Sequence, residues 1–146
     1  MIPRWVPRVT LGIALGASAV SAYLTIAHYT SPAVLACAES GVVNCSRVTT
    51  SQQSMFLGVP VALLGLLWSV AMTGLCLPAA WRSRSPLVSY SRLWLAVLGV
   101  GFVLWLIYAE LFIIRALCLW CSVVHLAAIA LFALVVLYGI PEGGGS

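Results

Sequence analysis

Apolar positions run along this chain in long blocks, without the alternation of a half-buried strand or the narrow stripe of a soluble amphipathic helix. Val9 to His28 forms one block and Phe56 to Leu77 a second. A third runs without a break from Leu93 to Tyr138. About 20 apolar residues suffice to cross the roughly 30 Å hydrocarbon core as a helix. The third block is about twice that length, so it has to fold back on itself. The natural break is Arg115-Ala-Leu-Cys118, which predicts spans over Leu93–Ile114 and Leu119–Tyr138. The pattern therefore predicts an all-α integral membrane protein, a bundle of four transmembrane helices joined by one long loop, Tyr29–Met55.

Composition agrees. Of 146 residues, 63% are hydrophobic and only 7% charged, against roughly 25% charged in a soluble domain. So little charge leaves no polar skin, and lipid is the solvent implied. One domain, residues 1–140, is expected. The final PEGGGS, residues 141–146, reads as a linker or expression scar and is set aside.

The net charge of +4 changes the picture little. Every basic residue is an arginine at the end of an apolar block, so no nucleic-acid partner is expected. Arg4, Arg8, Arg82, Arg84 and Arg92 fall on one side of the predicted spans, and Arg47 and Arg115 on the other. Positive residues stay inside, which predicts cytoplasmic termini, an outward-facing long loop and placement in the cell's inner (cytoplasmic) membrane. Trp5, Trp81, Trp94 and Tyr138 fall near span ends, as an interfacial aromatic belt would. A lipoprotein signal ending at Cys37 is the competing reading of the first block. The polar stretch His28–Pro32 before that cysteine argues against it.

Chemistry resides in the cysteines. Cys37 and Cys45 lie in the long loop, Cys118 and Cys121 open the fourth span as Cys-Leu-Trp-Cys, and Cys76 sits alone near the cytoplasmic side. Four thus share the side where disulfides persist. A Cys-x-x-Cys pair at a helix start gains thiolate character from the helix N-terminus and forms an exchangeable disulfide. A loop pair able to reach it makes a two-step electron relay. Two purely structural disulfides remain an open alternative on counts alone. A four-thiolate zinc site fits poorly because the loop cysteines are too far apart, and three glutamates are too few for a hard-ligand metal site. Ser122, rather than histidine, follows the pair, which excludes the haem-attachment pattern. Cys76 reads as a buried small side chain.

Cys37-Ala-Glu-Ser-Gly-Val-Val-Asn-Cys45-Ser-Arg, then Ser51, Leu57-Gly-Val-Pro60 and Cys118-Leu-Trp-Cys121 together resemble the vitamin K epoxide reductase family. The resemblance implies a short half-helix in the outer loop, capping a quinone pocket in the four-helix bundle. It implies that Cys37 receives electrons from a thioredoxin-like exported partner. Cys45 would be the shuttle that resolves this intermediate and attacks Cys118, and Cys121 the cysteine beside the quinone, of the menaquinone, ubiquinone or vitamin K type. Ser51 corresponds to the family's pocket serine. His125 stands where the animal enzymes carry tyrosine, and the loop after Ser51 is shorter than theirs and lacks their pocket asparagine. Both departures point to the bacterial branch, whose members serve disulfide formation in exported proteins, rather than to reduction of vitamin K epoxide itself. Many bacterial members also carry a fused thioredoxin-like domain. None follows here, so a separate partner is expected, unless the GGGS tail marks where such a domain was removed. In the unrelated DsbB-type quinone reductases, the Cys-x-x-Cys comes in the first outer loop, whereas here it comes last. A non-enzymatic membrane scaffold with fixed disulfides is the remaining rival.

Three more residues complete the expected quinone site. Glu110, eight residues before Cys118, lies roughly 12 Å away along a helix. Ionisable groups inside a membrane are costly and often functional. It reads first as a protonated group hydrogen-bonded across helices, with help in proton transfer to the quinone as the alternative. His125 is one turn beyond Cys121 and shares its face. Trp120 is a candidate pocket aromatic, as are Trp68 and Trp105. The small residues Gly12, Ala14, Gly16 and Ala17 predict close packing of the first span.

Overall fold

A computed structural model describes residues 1–37 and 39–140. The predicted linker at 141–146 lies outside them. Four apolar helices make the bundle: α1 (Trp5–Tyr29), α3 (Val61–Leu75), α5 (Pro86–Tyr108) and α6 (Leu119–Tyr138). Two short helices, α2 (Cys45–Thr49) and α4 (Pro78–Arg82), lie at opposite ends of it. Three of the apolar helices are long enough to cross a bilayer, while α3 has 15 residues, about 22 Å at 1.5 Å per residue.

The predicted second span, Phe56–Leu77, is thus too long at its start. A two-strand hairpin occupies that stretch: β1 (Met55–Phe56) pairs antiparallel with β2 (Val59–Pro60). Leu57 and Gly58 form its two-residue turn with φ of 52° and 82°. Positive φ at both central positions matches the right-handed twist of the strands. The hairpin stands in for the missing turns of α3, with Phe56 edge-on to Phe102 of α5 at 5.5 Å.

Helix α1 packs against both α3 and α6, and α5 packs against α6. Its buried residues Val6, Thr10, Ala14, Ala17, Ser21 and Leu24 recur every three or four positions, forming one inward stripe. Ala14 and Ala17 do pack as expected of small residues. Gly12 and Gly16 lie on the opposite, open face, with nothing near them, so their smallness serves no contact within this chain.

The fold-back after α5 occurs where predicted. A π-helical turn, Ala109–Ile114, ends at Arg115 with φ 58°, and the backbone N–H of Ala116 donates to the Glu110 carbonyl at 3.1 Å. The arginine end is built differently from a simple belt. Trp81 of α4 is buried rather than interfacial: its indole N–H donates to Thr10 Oγ1 at 3.1 Å. The buried Arg92 guanidinium lies over the Trp81 ring at 3.9 Å, and Arg92 Nε donates to the Leu75 carbonyl at 2.8 Å. Trp5 and Tyr138 meet edge-to-face at 5.5 Å at the same end. Cys76 is fully buried there, far along the chain from the other cysteines, in a cluster with Ala14, Met72 and Leu131.

Candidate active site

The long loop is stitched to the fold-back by main-chain hydrogen bonds. Leu117 N–H donates to the Val42 carbonyl at 2.8 Å, and Asn44 N–H donates to the Leu117 carbonyl at 2.9 Å. Gly41, with φ 55°, lets Ser40–Val43 turn tightly just before this pairing. The next residues on the two segments are Cys45 and Cys118. Both are completely buried in one cluster, with Cys37 and Cys121 packed against it. Asn44 also caps α2, its side-chain oxygen accepting the Arg47 N–H at 2.8 Å, as a short helix with open N–H groups requires.

Cys37 and Cys45 form a disulfide, and Cys118 and Cys121 are free thiols. Cys118 occupies the N-cap position of α6, and its sulfur accepts the Cys121 N–H at 3.2 Å. The Cys121 thiol, together with that N–H, holds the Cys118 thiol below its ordinary pKa of 9.0, outweighing burial and the nearby Glu110 charge. The helix start therefore favours Cys118 thiolate, as its position implies.

Behind the cysteines, a cavity of about 380 Å³ runs into the bundle. Its walls are mostly apolar, with Leu98, Phe102 and Leu106 of α5 facing Leu64 and Trp68 of α3. The Trp68 indole N–H donates to the Leu95 carbonyl at 2.8 Å, holding its ring close against Gly99. Cys121 borders the cavity, as do Ser51, Glu110 and His125. Glu110 and His125 are both buried, with Nε2 to Oε1 at 4.0 Å. The Ser51 hydroxyl donates to the Val48 carbonyl at 2.7 Å.

All eight residues singled out from sequence gather at this end of the bundle; Ser51, Glu110, Cys121 and His125 line the cavity, and Trp120 packs against the cysteine cluster instead. Its indole N–H donates to the Ala36 carbonyl at 2.9 Å and its ring meets Tyr23 edge-to-face at 5.2 Å, so it pins the loop instead of lining the cavity. One residue is 100° of helix, and Trp120 adjoins Cys121 in sequence, which already turns it off that face. Trp105 is half-exposed on the outside of α5, stacked on Tyr108. His28, Thr49, Gln53, Ser54 and Gly99 also line the cavity and were not picked out from sequence. Gln53 and Ser54 follow Ser51 closely on the loop, and that proximity was the available signal.

A profile of the vitamin K epoxide reductase family matches residues 8–136, nearly the whole chain. The chain belongs to the vitamin K epoxide reductase family. It is therefore a membrane oxidoreductase of thiols and disulfides, and the paired cysteines at one end of its bundle fit that chemistry. The cavity suits the quinones this family uses: a site of a few hundred Å³ with apolar walls and a few polar groups is what a small cofactor requires, and here a thiol stands at its edge.

Proposed function

We propose that this chain passes electrons from a thioredoxin-like exported protein through its two cysteine pairs to a membrane quinone, supporting disulfide formation in exported proteins. One observation carries the reading. Cys121 borders the apolar cavity while its partner Cys118 is buried against Cys45 of the loop pair, so the two pairs bridge a loop and a lipid-side pocket.

A thiolate of the partner attacks Cys37, breaking the Cys37–Cys45 bond. The partner's second thiol closes its own disulfide and frees Cys37. Cys45 thiolate then attacks Cys118 in the Cys118–Cys121 disulfide, and Cys121 leaves as thiolate. Cys37 attacks Cys45, re-forming the loop disulfide and leaving the Cys-x-x-Cys as a dithiol. The closed Cys37–Cys45 bond beside two free thiols corresponds to this last arrangement. A quinone held in the cavity would supply the two-electron acceptor for the Cys118–Cys121 dithiol, which gives up two electrons and two protons as its disulfide returns. Ser51, Glu110 and His125 are the polar groups that would orient its ring, and Trp120 positions the loop.

Five arginines gather at the end opposite the cysteines, three of them, Arg4, Arg8 and Arg82, around one groove. That supports cytoplasmic termini and a cysteine end facing the oxidising side of the inner membrane. The test is anaerobic. Purified protein is mixed with a quinone and a reduced thioredoxin-like donor, and quinone absorbance is followed beside Cys37→Ala and Cys121→Ala. Quinol formation abolished in each variant supports the relay. No quinol, with all four cysteines permanently paired, refutes it.

A further inference from the structure

We infer that Glu110 and His125 form a proton-handling pair for Cys121, taking the proton its thiol loses and carrying it into the cavity. This rests on the reading above of Cys121 as the sulfur beside the electron acceptor.

Three observations point there. Glu110 is 4% exposed and His125 6%. Among the described residues the group that reaches the Glu110 carboxyl by hydrogen bond is the backbone N–H of Cys118 itself, which ties the carboxyl to the Cys-x-x-Cys. Glu110 and His125 line the same cavity as Cys121, and their closest atoms are 4.0 Å apart, a gap one water bridges.

The backbone is also shaped for this placement. Glu110 sits in the π-helical turn, a form of helix concentrated at functional sites. Its carbonyl is fixed to Ala116 just before Cys118. Among the described residues His28, from α1, is the one other titratable group lining the cavity, and α3 contributes none.

The chemistry needs such a pair. When the dithiol closes to a disulfide it gives up two electrons and two protons, and an apolar-walled cavity offers little bulk water to carry them. Glu110 carboxylate accepts the Cys121 proton and passes it to His125 Nε2, which delivers it to an oxygen of the acceptor. The pair, reset, carries the Cys118 proton the same way. Both electrons and both protons thus move from the dithiol to the acceptor, and no bond of Glu110 or His125 is left changed.

The decisive measurement needs no quinone. Protein carrying Glu39→Gln and Glu142→Gln, with isotope-labelled glutamate, leaves Glu110 as the one labelled carboxyl. Oxidation of its Cys118–Cys121 dithiol by diamide is followed by infrared difference spectroscopy. A transient change in the labelled carboxyl band during oxidation, followed in time after mixing, is expected, and a band that never responds overturns the pair. In kinetics, Glu110→Gln and His125→Asn should each slow oxidation of the dithiol by quinone about 10²-fold, leaving Cys45-to-Cys118 exchange unchanged, with Glu110→Asp recovering most of the rate. Equal rates in folded variants, or slowed exchange as well, overturn it too. Wild type that never reduces quinone would defeat the proposed function, while the infrared result would still decide the pair.

Discussion

Asn44 donates its backbone N–H to the carbonyl of Leu117 at 2.9 Å, so the residues preceding Cys45 and Cys118 are joined across more than seventy positions of sequence. Two segments that carry exchanging sulfurs are thereby held in register by main chain, which no side-chain substitution removes directly. Asn44 adds a second hold through its cap on Arg47 N–H.

Removing that cap tests how much the register depends on it. Asn44→Ala should destabilise the loop helix by roughly 1 kcal/mol and slow transfer between the two pairs. Partner attack on Cys37 should be little changed, because the Cys37–Cys45 disulfide itself stays. Trapping the Cys45–Cys118 mixed disulfide in a Cys121→Ala background and reading it on non-reducing gels measures the effect. An undiminished yield would show that the backbone pairing alone sets the approach.

The Cys118 thiol makes a pH prediction. Its folded pKa lies below the ordinary 9.0, chiefly through the Cys121 thiol, so the fold favours the thiolate. Such a group adds stability that is complete above the ordinary thiol value and is lost as pH falls through the folded value. In the reduced protein, thiolate ultraviolet absorbance assigned by difference to Cys118 should therefore rise at lower pH than for a free cysteine. Cys121→Ala, which removes the thiol donor, should move that rise upward. A Cys118 that titrates like a free thiol would contradict the hydrogen bond at its sulfur.

Much of this was legible in the chain, for identifiable reasons. An apolar run twice a bilayer's thickness must turn, and Arg115 with its left-handed φ is where it does. The Cys-x-x-Cys spacing marked two sulfurs one helical turn apart, while the roles of the four cysteines came from the family resemblance. The Met55–Pro60 hairpin was not legible, because its apolar residues merge with the following helix in any hydropathy count. Leu57 also holds a positive φ without the Asn-Gly signal that advertises such turns. Trp81 looked interfacial by position; only packing shows that a five-residue helix turns it under Arg92.

That buried tryptophan gives a stability prediction separate from the chemistry. Trp81→Ala should cost about 3–5 kcal/mol, since it empties the space beneath Arg92 and leaves Thr10 without its donor. Trp81→Phe keeps most of the ring and loses the hydrogen bond, for about 1 kcal/mol. Thermal unfolding in detergent measures both. Relay activity of the folded fraction should stay at the wild-type level, because the cysteines lie at the other end of the bundle.

Gly99 governs the cavity's floor. A Cβ there would fall 2.5 Å from the Trp68 ring, closer than any real contact, and the ring cannot simply swing away while its N–H is held by the Leu95 carbonyl at 2.8 Å. Gly99→Ala should therefore destabilise by about 1–3 kcal/mol, the usual cost of overpacking, and push the indole into the space between α3 and α5. With Cys121 and the loop pair untouched, the partner-to-Cys118 steps should run normally while the KM for quinone rises. Trp68→Phe in the Gly99→Ala background frees the ring from its hydrogen bond, and should recover part of both losses. If Gly99→Ala instead leaves the quinone KM unchanged and slows disulfide exchange, the cavity bounded by Trp68 is not where the acceptor sits.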